Sequence, residues 1–210
     1  MKLIIAAPSP YARKARVSLH EKEIKHEVII DLPWSENTIT KGKNPLGKIP
    51  ILITRDNKYI FDSKVIIRYL DQIKPCPKIY PSDPKSHLSA ITIETVADGI
   101  CDAVVLICLE RVRIDALISK QWIERQERKV VDGLKYLSTE LGSKTHFVDN
   151  HFNIADISAF TSLEYVDTRF KEFNWRKNFP NLNDYWSFHK HRDSFLISKP
   201  TLQTIDPIIY

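Results

Sequence analysis

The apolar positions near the N-terminus predict short strands alternating with helices. Residues 3–7 form an apolar run that is typical of a buried strand. In the following segment Tyr11, Ala15 and Leu19 recur every fourth position, which predicts a helix. Residues 28–30 form a second apolar run. A strand, a helix and a strand in this order predict a parallel βαβ unit.

A polar segment and a hairpin follow this unit. Residues 32–47 are polar and interrupted by prolines and glycines, so we expect a long loop there. Residues 51–53 and 59–61 are short apolar runs separated by a turn-forming Asp56-Asn57 pair, and they predict two antiparallel strands. Beyond Asp62 the apolar positions return to helical spacing. The first part of the chain therefore has the predicted element order βαβ followed by ββα.

A cluster of four prolines within residues 74–85 predicts a linker. From residue 85 to residue 179 there is no proline, and the apolar periodicity is helical. We therefore predict a two-domain α+β/α protein. Its N-terminal βαβ–ββα domain would span residues 1–76, and an all-α helical bundle domain would span residues 85–210.

The sequence of the second domain also predicts where individual helices begin and end. An apolar stripe over residues 123–141 ends at Gly142, a residue type favoured just beyond a helix C-terminus. Asn153 and Asp156 have the spacing of a capping box and predict the start of a helix that is apolar on nearly all sides. We assign Asp156 to folding and not to catalysis. A last helix is predicted after Pro180.

The distribution of charge and the positions of the cysteines limit the possible ligands and cellular locations. Residues 1–75 hold 14 of the 31 basic side chains and 8 of the 26 acidic ones. This excess suits a small anionic ligand, but no dense basic run is present, so we predict no nucleic-acid partner. The apolar runs are too short for a membrane span or a secretory signal. The three cysteines lack disulfide or metal-ligand spacing, which predicts no metal and a cytoplasmic location.

Ser9 stands between the first predicted strand and the first helix. Serine is favoured at an N-cap and Pro10 at the first helical position, so Ser9 caps the helix. A hydroxyl at this helix end can stabilise an anion or a thiolate, and an ordinary structural cap is the alternative. The βαβ–ββα order, with Ser9 here and Pro50 at a strand entry, is a thioredoxin-like plan. Ser9 and Ala12 stand where disulfide exchange would need cysteines.

Several short motifs, in their order and spacing, resemble the glutathione transferase superfamily over essentially the whole chain. They are Ser9-Pro10-Tyr11-Ala12-Arg13-Lys14, Asn44-Pro45-Leu46-Gly47-Lys48-Ile49-Pro50, Asp62-Ser63, the linker with Tyr80-Pro81, and the box from Asn153 to Asp156. With serine at position 9, the chain is similar to the Ser-type branch of this superfamily and not to its Cys-type or Tyr-type branches.

The resemblance implies a catalytic Ser9 and a glutathione co-substrate bound by Lys48, Ile49, Pro50, Asp62 and Ser63. Pro50 would follow a cis bond, so that the Ile49 backbone pairs with the cysteinyl part of glutathione like an added strand. An acid beside a helix N-terminus also suits the ammonium and carboxylate groups of a zwitterion. Plain helix caps at Asp62 and Ser63, and a solvated surface Lys48, are the alternatives.

We therefore expect a cytosolic glutathione S-transferase that joins the thiolate of glutathione to a small electrophile, or performs related glutathione-dependent chemistry. The resemblance also implies a homodimer. The net charges of +6 for residues 1–75 and −1 for the remainder favour a dimer in which the N-terminal domain of one subunit contacts the C-terminal domain of the other. The alternative is a non-catalytic scaffold that resembles the stringent starvation proteins, which associate with RNA polymerase. The presence of Ser9, Asp62 and Ser63 together counts against that alternative.

Overall fold

A four-stranded sheet forms the first part of the protein. The structure is a computed structural model and describes residues 1–170, 172–201 and 203. The sheet has the order β2-β1-β3-β4 and consists of β1 (Lys2–Ile5), β2 (Glu27–Ile30), β3 (Ile51–Ile53) and β4 (Tyr59–Ile60). β1 is parallel to β2, and β3 is antiparallel to both β1 and β4. The predicted parallel unit and the predicted hairpin are both confirmed.

Two helices cover one face of this sheet. Helix α1 (Pro10–Glu21) connects β1 to β2, and α2 (Ser63–Ile73) follows β4. Because side chains alternate along a strand, Leu3 and Ile5 point to the same side of the sheet, and Leu52 lies opposite Leu3 on β3. All three are buried in one cluster with Leu19 of α1 and Leu70 of α2. Apolar burial of this kind stabilises the fold by about 25 cal/mol per Å².

A buried ion pair holds the chain beyond α2 against the end of α1. The side chain of Lys22 is fully buried, and its Nζ lies 2.7 Å from Oδ1 of Asp71. The same ammonium donates hydrogen bonds to the carbonyl oxygens of Lys74 and Pro77, at 2.6 and 2.7 Å. The Asp71 carboxylate also accepts from the backbone N–H groups of residues 79–80, each at 2.9 Å. All three N–H bonds of the Lys22 ammonium therefore have an acceptor.

The second part of the described chain is built of helices. They are α3 (Pro84–Arg111), a 3-10 turn (Asp115–Leu117), α4 (Lys120–Leu141), α5 (Ile154–Arg169), α6 (Trp175–Asn178) and α7 (Pro180–His189). Helix α3 packs against both α4 and α5. Its approach to α4 is close at Gly133, where a Cβ would lie only 2.6 Å from Cγ1 of Ile100. Twelve of the 16 residues of α5 are buried, which confirms its predicted central position.

The capping box at the start of α5 has the predicted geometry. The Asn153 side chain accepts from the Ala155 N–H at 2.9 Å, and the Asp156 carboxylate accepts from the Asn153 N–H at 3.1 Å. Asp156 also accepts from the backbone N–H of Phe147 and from the hydroxyl of Tyr185. These local contacts agree with a role for Asp156 in folding.

The chain divides into two compact units, and the first is discontinuous in sequence. One unit comprises Met1–Tyr80 together with the described residues of the C-terminal segment, 192–201 and 203, and the other comprises Pro81–His191. Helix α8 (Asp193–Ile197) packs on α1 within the first unit. The domain limits of 1–76 and 85–210 stay a prediction, and the contacts of the C-terminal segment group it with the first unit.

Other differences from the predicted elements are local. Strand β1 ends at Ile5 because Ser9 N–H donates to the carbonyl of Ala6 at 3.0 Å and closes a turn. Helices α6 and α8, of four and five residues, are too short to produce a helical apolar repeat and were not predicted. Within the part of the chain that the structure describes, no helix combines the length and hydropathy that a membrane crossing requires.

Candidate functional site

The strand register brings three of the sequence-predicted segments to one end of the sheet. Ile4 of β1 pairs with Ile51 of β3, and Leu52 pairs with Ile60 of β4. The end of β1, the start of β3 and the end of β4 therefore coincide, because β3 is antiparallel to both neighbours. The chain leaves β1 toward Ser9, enters β3 from Ile49-Pro50, and leaves β4 toward Asp62-Ser63.

Ser9 caps α1 as the sequence predicts. Its backbone is extended, and its Oγ accepts a hydrogen bond from the N–H of Ala12 at 3.2 Å. The side chain is half-buried, and its hydroxyl hydrogen has no acceptor within hydrogen-bond distance among the described residues. That hydrogen is available to an anion placed at the positive end of the α1 dipole.

The segment before β3 presents an unpaired backbone. The Ile49–Pro50 peptide bond is cis. Among the described residues, neither the N–H nor the C=O of Ile49 takes part in a backbone–backbone hydrogen bond. These two groups have the pattern that an added strand would complete.

Asn44 shapes the approach to Ile49 and is a residue whose role the sequence reasoning missed. Its side chain is buried and donates to the carbonyl of Lys48 at 2.8 Å, while its Oδ1 accepts from the N–H of Leu46 at 2.9 Å. Gly47 in between has a φ of +61°, a conformation that glycine adopts at little cost. The motif from Asn44 to Pro50 is thus a turn stabilised by its own first side chain.

Asp31 anchors the long loop that leads to this turn and was also missed. Its carboxylate accepts hydrogen bonds from the hydroxyls of Thr38 and Thr40 and from the N–H groups of Ile39 and Thr40. Burial raises the pKa of the Asp31 carboxyl, but these hydrogen bonds outweigh burial and the net pKa is lowered. Only the pattern D-x₆-T-x-T hints at this role.

Asp62 and Ser63 form the N-terminus of α2. Asp62 is exposed and is the N-cap, and its Oδ1 accepts from the Lys64 N–H at 2.8 Å. Ser63 is buried, and its hydroxyl donates weakly to the same oxygen at 3.4 Å. The structure thus shows the capping role, and it leaves the second carboxylate oxygen of Asp62 without a protein donor among the described residues.

Lys48 is exposed next to Ile49. Its side chain forms no ion pair or hydrogen bond with any residue that the structure describes. Within the same described residues, no group of three or more His, Cys, Asp or Glu side chains is arranged to hold a metal ion.

Other candidate nucleophiles are less suited to reaction at neutral pH. Cys108 on α3 is half-buried, and burial raises the pKa of its thiol. Tyr165 on α5 is buried, and burial likewise raises the pKa of its hydroxyl. Both groups are therefore protonated at neutral pH, and Cys101 is buried.

Family comparisons cover most of this chain. The family model described as "Glutathione S-transferase, N-terminal domain" matches residues 8–73, and that described as "Glutathione S-transferase, C-terminal domain" matches residues 120–185. An uncharacterised GST-like protein of Escherichia coli K12, YibF, is 32% identical over 200 residues, which cover 95% of this chain and 98% of that protein.

Solved structures agree with this assignment. A glutathione S-transferase of Methylobacterium radiotolerans, in complex with glutathione sulfonate, has a TM-score of 0.95 and 40% identity, over 98% of this chain and 97% of that one. A glutathione S-transferase of Methylobacillus flagellatus with GSH bound has a TM-score of 0.92 and 33% identity, over 95% of this chain and 99% of that one. These matches confirm the thioredoxin-like domain followed by a helical domain. The chain belongs to the glutathione S-transferase family.

Proposed function

We propose that the protein is a glutathione S-transferase in which the Ser9 hydroxyl donates a hydrogen bond to the thiolate of glutathione. The observation that carries this proposal is the strand register, which brings the Ser9 cap, the unpaired backbone of Ile49 and the N-terminus of α2 to one end of the sheet. The relatives that contain glutathione sulfonate and GSH support glutathione as the co-substrate. The second substrate would be a small electrophile.

The energy required of Ser9 is within reach of one charged hydrogen bond and a helix end. Lowering the pKa of a thiol by about two requires about 2.7 kcal/mol of preferential thiolate stabilisation. A hydrogen bond to a charged group contributes about 1.5–3 kcal/mol, and a helix N-terminus contributes about 0.3–1 kcal/mol. The unused hydroxyl hydrogen of Ser9 and the dipole of α1 supply these two contributions.

The other predicted site residues would bind the remaining parts of glutathione. The Ile49 N–H and C=O, which precede Pro50 at the entry to β3, would pair with the backbone of the cysteinyl part of glutathione. The free Asp62 carboxylate oxygen would bind the α-ammonium, and the Ser63 hydroxyl at the α2 N-terminus would bind the α-carboxylate. The exposed Lys48 ammonium would bind the second carboxylate of glutathione.

The test of Ser9 is the rate of conjugation of glutathione to an aryl halide. Ser9→Ala should lower kcat/KM by about 10- to 1000-fold, as does the loss of an oxyanion-type donor. Ser119→Ala is a matched control, because Ser119 caps α4 by accepting from the Trp122 N–H at 3.3 Å. Both variants lose about 0.5–2 kcal/mol of cap stability, and only the first should lose activity. An Ser9→Ala rate within about twofold of wild type would exclude Ser9 from this role.

Glutathione binding separates the enzyme from the scaffold alternative. Isothermal titration with glutathione should show binding to the wild type and about tenfold weaker binding to Asp62→Asn, because a charged hydrogen bond to the ammonium is lost. A folded wild-type protein that ignores glutathione would favour the non-catalytic scaffold.

We also propose a cytoplasmic homodimer. Tyr59 on β4 and Val65 on α2 are 46% and 48% exposed, and Leu88 on α3 is 63% exposed. Exposed apolar side chains of this kind, in both the N-terminal and the helical parts of the chain, would be covered by a dimer that pairs unlike domains. Sedimentation at micromolar concentration should give a species of twice the 24.4 kDa chain mass. A single species near the chain mass would contradict the dimer, and cell fractionation tests the location.

A further inference from the structure

The turn that carries Ser9 is held from two sides. Within the turn, Ser9 N–H donates to the carbonyl of Ala6 at 3.0 Å. From outside, the side-chain oxygen of Gln203 accepts the N–H of Ala7 at 2.9 Å. Ala7 lies two residues before Ser9, so this contact fixes the part of the turn that directs the Ser9 side chain.

Both ends of the Gln203 amide are used. Its Nε2 donates to the carbonyl oxygen of Asp31 at 3.3 Å, just beyond β2. The N–H of Asp31 itself donates to Ile5, the last residue of β1. The Gln203 side chain therefore bridges the chain where it leaves two neighbouring parallel strands. A primary amide suits this position because it offers one acceptor and one donor.

The chain reaches this position along α1. We call the described residues from Arg192 to Gln203 the C-terminal strap. Near the C-terminal end of α1, Arg192 forms two hydrogen bonds of 2.7 Å with the carboxylate of Glu21. This pairing and a hydrogen bond from Ser194 overcome the effect of burial and lower the pKa of Glu21.

Further along the same helix, two arginines bind the backbone of the strap. Arg16 donates to the carbonyl oxygens of Ile197 and Ser198, at 2.8 and 3.3 Å. Arg13 donates to the carbonyl of Phe195 at 3.2 Å. The strap thus begins beside the C-terminal end of α1, at Glu21, and its Gln203 side chain contacts the turn before the N-terminal end of α1.

We infer that Gln203 is a positioning residue for Ser9, through its hydrogen bond to the Ala7 N–H. The inference rests on the proposed function of Ser9. Without the amide, the Ala7 N–H loses its acceptor and the turn gains freedom, so the hydroxyl of Ser9 is less well aligned with the thiolate. A misplacement of about 1 Å at a reacting centre can cost about 100-fold in rate, and a smaller loss is expected for one hydrogen bond.

The experiment compares Gln203→Met, which keeps the length of the side chain but has no amide, with Thr201→Ala, an exposed neighbour on the strap. Gln203→Met should lower kcat by about 3- to 10-fold, the range of one neutral hydrogen bond. It should also raise the pKa of enzyme-bound glutathione, measured from the pH profile and from the ultraviolet absorbance of the thiolate. Amide exchange at Ala7 should become faster. Thr201→Ala should resemble wild type in all three measurements.

Two outcomes would overturn the inference: a wild-type pH profile in Gln203→Met, or unchanged exchange at the Ala7 amide. If Gln203→Met folds poorly, Gln203→Asn replaces it, because its amide is one methylene too short to span Ala7 and Asp31, and the same shifts are required of it. The proposed function fails separately, if Ser9→Ala leaves the pKa of bound glutathione unchanged. If Ser9→Ala raises that pKa and the Gln203 variants do not, only the present inference fails.

Discussion

Replacement of Lys22 by methionine tests the buried ion pair between α1 and the chain beyond α2. Methionine keeps most of the apolar stem, but it removes the ammonium that lies 2.6 to 2.7 Å from one carboxylate oxygen and two carbonyl oxygens. The Asp71 carboxylate, whose side chain is 9% exposed, would keep two backbone N–H donors among the residues that the structure describes. Removing one partner of a buried pair costs about 3–5 kcal/mol. We expect Lys22→Met to lower the free energy of unfolding by that amount.

Urea unfolding followed by circular dichroism measures this loss. The matched control is Glu23→Gln, which removes a neighbouring pair, Lys74 Nζ to Glu23 Oε2 at 3.3 Å, whose side chains are 38% and 85% exposed. An exposed pair of this kind contributes about 0.2–1 kcal/mol. The double variant Lys22→Met/Asp71→Leu should lose less than the sum of its single changes, because neither charge is left alone. A loss below about 1 kcal/mol in Lys22→Met would refute the reasoning.

Three further predictions concern packing, thiol chemistry and pH. Gly133→Ala should be less stable in urea than Gly99→Ala, because a Cβ at Gly133 would lie 2.6 Å from an isoleucine side chain, whereas a Cβ at Gly99 would meet nothing within 4 Å. Equal stabilities of the two variants would contradict the close contact between α3 and α4. Iodoacetamide at neutral pH should label exposed Cys76 well before Cys108, whose thiol pKa is raised by burial, and peptide mass spectrometry would reveal the opposite order. Because the pKa of Glu21 is lowered in the folded protein, its contribution to the free energy of unfolding is present above the ordinary glutamate pKa of about 4.3 and is lost as the pH falls through the folded-state pKa. The stability advantage of wild type over Glu21→Gln, measured by urea unfolding, should therefore shrink in acid. A constant advantage would be inconsistent with the Arg192 pairing.

Local signals explain why much of the fold could be predicted from the sequence. The cap at Ser9, the cap at Asp62 and the box at Asn153 each depend on residues no more than three positions apart, and all three are present in the structure. The helices that were missed, α6 and α8, are shorter than the window in which a helical apolar repeat can be recognised. The parallel β1–β2 pair followed from the single crossover and the antiparallel β3–β4 pair from the hairpin, whereas the pairing of β3 with β1 was not predicted.

Long-range contacts could not be predicted in the same way. A lysine at a helix end is ordinarily exposed, and Lys22 is buried because its ammonium meets Asp71 and two carbonyl oxygens, about fifty positions away along the chain. Gln203 is likewise far in sequence from Ala7, and nothing near it suggests a function. The candidate site was recognised from motifs, whereas the groups that support it, such as Asp31 and Gln203, depend on the folded chain. The roles of the motif residues in binding glutathione stay a prediction.

The discontinuity of the first unit affects how the protein can be made. A ribosome releases β1, α1 and α2 early, but the strap that binds Arg13 and Arg16 emerges only after the whole second unit. Domains generally fold as units during synthesis, so the early unit would wait with part of α1 uncovered while more than a hundred residues are added. Until the strap is synthesised, the guanidinium groups of Arg13 and Arg16 would lack the backbone carbonyl acceptors that the strap provides.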